Sequence, residues 1–101
     1  MSSPIFTGMA RDKSITSLTG ASQTVCALNG NRQFLAIENT GNANIGVNFV
    51  GTAATPGTAL IGGTGTLTLV PGGSILFQVY VPQNPVTVIG TAGQTVAVIE
   101  G

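Results

Sequence analysis

The chain has 101 residues, 43% of them apolar, and six charged side chains that cancel to a formal net charge of zero. That length fits one domain with one core, and its longest apolar runs fall far short of the roughly 20 residues of a membrane-spanning helix. Charged residues make up 6% against about 25% in an ordinary globular chain, so the surface carries little charge repulsion and is expected to be partly covered by copies of the chain or by a larger partner.

The N-terminal stretch, residues 1–13, reads as an arm. Ile5, Phe6 and Met9 make it more apolar than a free tail requires. It is expected either to fold back as an ordinary first strand or to dock on a neighbouring subunit. Met1-Ser2-Ser3-Pro4 lacks the positive charge of a signal peptide, and Arg11-Asp12-Lys13 arrives before any suitable apolar run. Export by the usual route and membrane insertion are therefore not expected.

From residue 14 to 101 the pattern is one β domain, with short apolar segments separated by turn residues. Ser14–Leu18 is followed by Thr19-Gly20, and Gln23–Leu28 by Asn29-Gly30-Asn31. Asn-Gly is a strong hairpin signal because both residues tolerate positive φ. Arg32–Glu38 leads into Asn39-Thr40-Gly41-Asn42. In Asn44–Val50 the residues Ile45, Val47 and Phe49 alternate with Asn44, Gly46 and Asn48, the period of a half-buried strand.

Gly51 to Gly65 is rich in Gly, Thr and Ala and reads as a long loop with a short pairing segment near Thr58–Ile61. Thr66–Val70 follows, then a Pro71-Gly72-Gly73 turn in which proline presets φ and glycine supplies the permissive position. Ser74–Val81 is the longest segment, with Ile75, Phe77, Val79 and Val81 on one side. Val86–Ile89 and Gln94–Ile99 close the chain around Gly90-Thr91-Ala92-Gly93. No stretch shows helical periodicity over three turns, and β-branched residues abound. The expected fold is all-β: a small two-sheet antiparallel sandwich, jelly-roll-like or immunoglobulin-like, with a small β-barrel as the alternative.

The chemistry is conspicuous for what it lacks. No histidine is present to act as general base or metal ligand. The single cysteine, Cys26, cannot form an intrachain disulfide, and its apolar strand context predicts a buried small hydrophobe. Of the three carboxylates, Asp12 sits between two cations, Glu100 lies near the C-terminus, and Glu38 shares strand parity with Arg32, its expected partner. The Gly-rich run Gly62-Gly63-Thr64-Gly65 lacks the Lys-Ser/Thr ending of a phosphate loop. With three basic residues and no basic stripe, nucleic-acid binding is not expected either. The reading is a non-enzyme without cofactor or metal. Tyr80 and the four phenylalanines are mostly embedded in strand patterns and are expected in the core; Tyr80, on the opposite parity from Phe77 and Val79, is the one alternative candidate for a sugar-ring platform.

One resemblance adds to this reading. The course Arg32-Gln33-Phe34-Leu35-Ala36-Ile37-Glu38-Asn39, then Ile45-Gly46-Val47-Asn48-Phe49, Leu69-Val70-Pro71-Gly72-Gly73-Ser74 and Val86–Gly93 resembles small β-rich virion proteins of tailed bacteriophages. It covers residues 32 to 101, and its motifs are structural. Such proteins include capsid decoration or cement proteins, commonly trimers on the head surface. The resemblance implies a virion protein made in the host cytoplasm, with a major capsid protein or another virion protein as partner and a homo-oligomer, a trimer above all. The alternative is a head-fibre or tail-associated binding module that takes carbohydrate. Candidate assembly contacts are Ile5, Phe6 and Met9 in the arm, with Pro56 and Leu60 in the long loop.

Overall fold

A computed structural model describes residues 10–101. Eight strands follow in chain order: β1 (Arg11–Asp12), β2 (Gln23–Cys26), β3 (Leu35–Glu38), β4 (Ile45–Asn48), β5 (Thr66–Leu69), β6 (Ser74–Phe77), β7 (Val86–Ile89) and β8 (Ala97–Glu100). They form two four-stranded sheets, ordered β1-β8-β3-β6 and β2-β7-β4-β5, with every pairing antiparallel. The chain is a two-sheet antiparallel structure of the sandwich type, and every connection except β4–β5 carries it from one sheet to the other.

Alternation explains the core. In the first sheet Leu35, Ile37 and Val98 turn inward; in the second, Ile45, Val47, Val86 and Val88 do so, and all are at most 1% exposed. Burying each such side chain contributes about 1.5–3 kcal/mol. Leu18 and Val96 complete the cluster from just outside the strands. Phe49, just after β4, meets Phe77 of β6 edge-to-face with centroids 5.3 Å apart. That contact links the two sheets in a favoured aromatic geometry.

Several expectations are corrected. Arg11 and Asp12, within the stretch read as an arm, pair with Glu100 and Ile99 as a first strand. Ser14–Leu18 contributes a single bridge, Ile15 to Val96, before Leu18 plunges into the core. Asn29-Gly30 makes no hairpin, since β2 and β3 lie in different sheets. There the Asn29 carbonyl accepts from the Arg32 amide and the Asn29 side chain accepts from the Asn31 amide, a side-chain-stabilised crossing turn. β6 stops at Phe77, so the alternation through Val81 fails. Val79 is fully exposed, while Val81 still packs on the core. The Pro71-Gly72 turn forms as read, with Gly72 at φ +80° and the Gly73 amide donating to the Val70 carbonyl at 2.8 Å.

The segment from Gly51 to Gly65 is not a projecting loop. It is a strap across the outer face of the second sheet. Asn48 and Thr87 point to that face, where the Thr87 hydroxyl donates to the Gly57 carbonyl at 2.7 Å and Asn48 donates to the Thr58 carbonyl. The Asn48 side-chain oxygen accepts from the Val50 amide, and Asn84 donates to the Gly51 carbonyl. The pairing within the strap joins Gly51 to Pro56, rather than involving Thr58–Ile61. Consequently β4 is buried on both faces, although its sequence alternates like a half-exposed strand. Gly57 is where the strap lies closest, since a Cβ there would stand 2.0 Å from the Val50 carbonyl oxygen.

Candidate functional site

Arg32 is the organising residue of one end of the sandwich. It precedes β3, its side chain is buried, and its Nε donates to Glu100 Oε2 at 2.7 Å. Its Nη1 donates to the carbonyls of Pro82 and Asn84 at 2.6 and 2.9 Å, and its Nη2 donates to the Ala27 carbonyl at 2.8 Å. One guanidinium thus ties together the end of β2, the β6–β7 connection and the last strand. Glu100 is buried because it shares the inward parity of Leu35, its partner across β3. Arg11, on the opposite neighbour β1, reaches the other carboxylate oxygen at 3.7 Å from an exposed position, so it adds little.

The expected Arg32–Glu38 pair does not form. Strand parity does not extend back to Arg32, because β3 starts at Leu35. Glu38 lies at the far end of β3, exposed and turned to the outer face, whereas Glu100 faces inward at the near end. The third carboxylate, Asp12, is exposed and opposite Ile99. Hydrogen bonds from Ser14 hold its carboxyl below the ordinary range.

Beyond Phe77 the chain leaves the sheet and arches over Arg32, forming one wall of an open cleft of about 500 Å³. Its lining includes Gln33, Gln78, Tyr80, Gln83 and Asn84. Tyr80 is 83% exposed, so the expected core position fails for it, because the strand ends at Phe77. The arch is held from below: the Asn29 amide donates to the Gln83 carbonyl, and the Gln83 side chain donates to the Gly30 carbonyl. The cluster of amide side chains around Tyr80 was not read from the sequence. Uninterrupted alternation from Ile75 to Val81 masks the strand's end, and the available clue is the glutamine-rich, Pro82- and Pro85-punctuated run that follows.

The other end of β3 carries a second polar knot. Asn39, fully buried, donates to the Ala43 and Leu69 carbonyls and accepts from the Gly41 amide and from the Gln94 side chain. Gln94 also donates to the Ala43 carbonyl and accepts from the Thr91 amide. All of these groups are satisfied within the fold, so this end reads as scaffold.

Cys26 is buried at 1% exposure, and desolvation pushes its thiol up to about 11. That is an inert core residue, as its sequence context predicts. Of the candidate contact residues, Leu60 is 59% exposed on the strap and Pro56 is half-buried in the bridge to Gly51. Ile5, Phe6 and Met9 lie outside the described residues. Among the described residues, no helix is long and apolar enough to cross a membrane. A scan of protein-family models, a search of curated proteins and a search of solved structures each return no match for this chain.

Proposed function

We propose that this chain is a structural module of a bacteriophage particle that decorates or cements the capsid, and that its sandwich is a jelly roll. Two features support the fold reading. The sheet orders 1-8-3-6 and 2-7-4-5, with all but one connection crossing between sheets, are what two nested Greek keys produce. Jelly rolls serve in viral shells and in lectins, so the fold alone does not choose a function.

The observation that carries the assembly reading is the edge formed by β5 and β6. Each pairs on one side only. Edge strands in monomers are usually blunted by charge, proline or bulges. Here the sequence holds no charged residue between Glu38 and Glu100. Leu67 on β5, Val70 in the turn and Leu76 on β6 are 52%, 58% and 57% exposed. Glu38, across from Ser74, is the nearest charge and sits at one end. The exposed Arg11-Asp12 pair lies on β1, the opposite edge of that sheet. An apolar, uncharged edge with unpaired backbone groups is suited to contact with another chain.

In this reading the sandwich is a rigid peg. Its β5–β6 edge meets a second copy or the major capsid protein, and Leu60 of the strap and the N-terminal arm extend the contact. Apolar burial contributes about 25 cal/mol per Å² before ordering costs. Repetition around a symmetric shell raises a modest affinity by avidity. The resemblance to decoration proteins makes a trimer the proposed oligomer. The test is sedimentation of the wild type and of a Leu67→Lys/Leu76→Lys variant, together with their occupancy on purified phage heads. The wild type should self-associate and coat the heads, and the variant should do neither while keeping its melting temperature. A wild type that stays monomeric and leaves the heads bare would overturn the proposal.

A further inference from the structure

We propose that the cavity under the Gln78–Asn84 arch is a binding site for a neutral saccharide, with Tyr80 as its stacking platform. The volume of about 500 Å³ lies within the usual range of small-molecule sites, about 300–1,000 Å³. What singles it out is the division between occupied and free polar groups. Part of the wall is already committed: buried Arg32 donates to the Pro82 and Asn84 carbonyls, half-buried Asn84 to the Gly51 carbonyl, and exposed Gln83 to the Gly30 carbonyl. Those bonds hold the arch in place before any ligand arrives, which lowers the ordering cost of binding.

The rim is the reverse. Gln33 and Gln78 are exposed, and their side-chain amides engage no partner among the described residues. The Tyr80 ring is 83% exposed beside them. Each free amide offers two N–H donors and a carbonyl acceptor. That pairing suits vicinal hydroxyl groups, which both donate and accept. An exposed aromatic ring supplies an apolar face with a polar tip, matching the C–H face of a pyranose.

Charge sets the ligand class. The lining holds one ionised side chain, Arg32, which is fully buried: Glu100 neutralises it at 2.7 Å and carbonyl oxygens take three of its other four N–H donors. A phosphate, sulfate or carboxylate would find no free cation in this cavity. The site therefore selects uncharged polyhydroxyl ligands over acidic ones. The arch begins at Gln78, two residues after Leu76, and the two proposals are told apart by their readouts, glycan binding for this one and self-association or head occupancy for the other.

The experiment uses the whole protein on a printed array of neutral oligosaccharides terminated by glucose, galactose, mannose or N-acetylhexosamine, with sialylated and sulfated glycans as controls. The best neutral glycan is then followed by ¹H–¹⁵N spectra of the glutamine side-chain amides. The expected result is millimolar binding to neutral glycans that shifts the Gln33 and Gln78 amide signals. Tyr80→Ala and Gln78→Ala should each weaken it by about ten-fold or more, equivalent to about 1.4 kcal/mol. Both positions are exposed, so both variants should melt like the wild type. Absence of neutral-glycan binding, binding confined to the acidic controls, or binding unchanged in Tyr80→Ala would each overturn the proposal. Loss of self-association in Tyr80→Ala, without any glycan binding, would instead make the arch a contact between chains.

Discussion

Replacing Arg32 with methionine preserves much of the side chain's length and removes its five N–H donors. The Glu100 carboxylate, 5% exposed, then loses its 2.7 Å partner. The carbonyls of Ala27, Pro82 and Asn84 lose their donor as well. Breaking one half of a buried ion pair costs about 3–5 kcal/mol, a large share of the roughly 5–15 kcal/mol that stabilises a whole domain. At about 4–8 °C per kcal/mol for a domain of this size, the melting temperature should fall by at least about 12 °C. Glu100→Met should be comparably damaging, because it strands the guanidinium instead. The double variant removes both charges, and apolar replacement of a buried pair is often close to neutral. It should therefore be more stable than either single variant. Urea titrations of the four proteins give the coupling energy directly. Additive losses, with the double variant the least stable of the four, would show that Arg32 acts through its carbonyl contacts and not through Glu100.

Two further expectations concern the core and the strap. Because burial raises the Cys26 thiol to about 11, above its unfolded value near 9, the folded state holds that proton more tightly. Its contribution is complete below pH 9 and is lost as pH rises towards 11. Cys26→Ala should flatten stability over that interval, and a thiol reagent at pH 8 should label wild type quickly only in denaturant. Gly57→Ala places a methyl group 2.0 Å from the Val50 carbonyl oxygen and 2.1 Å from the Asn48 side-chain oxygen. The strap must lift, so amide exchange and protease cleavage within residues 51–65 should rise sharply while the Val47 and Val88 amides stay protected.

Much of the fold was legible because its signal is local. Alternation in Leu35–Glu38, Ile45–Asn48 and Val86–Ile89 and the Pro71-Gly72 turn all report on neighbouring residues, and each lies where it was read. What was not legible depends on residues far apart in the chain. Alternation set Asn48 on the face opposite Ile45, Val47 and Phe49 but could not reveal that residues 51–65 cover that face. Arg32 shares parity with Glu38 on paper, yet the register of β3 against β8 delivers Glu100 to it from 68 residues away. The Asn29-Gly30 turn was located, but which sheet the next strand joins is a tertiary matter. At the candidate site Tyr80 could be singled out as an isolated aromatic. The amides that surround it come from segments some 50 residues apart, Gln33 and Gln78–Asn84, and only folding brings them together.

The position of β8 has a consequence for how the molecule is made. Residues Ala97–Glu100 form an interior strand of the first sheet, hydrogen-bonded to β1 on one side and to β3 on the other. Until those residues leave the ribosome, β1 has no partner and the β3–β6 pair has a bare inner edge. Sheet 1 therefore closes only after synthesis has passed Glu100, and the loop closures it requires join distant positions, a topology that folds slowly. During that interval the apolar strands Leu35–Glu38 and Ser74–Phe77 are open to pairing with other nascent chains. Chaperone demand and yield should be governed by β8, the last of the eight strands in chain order.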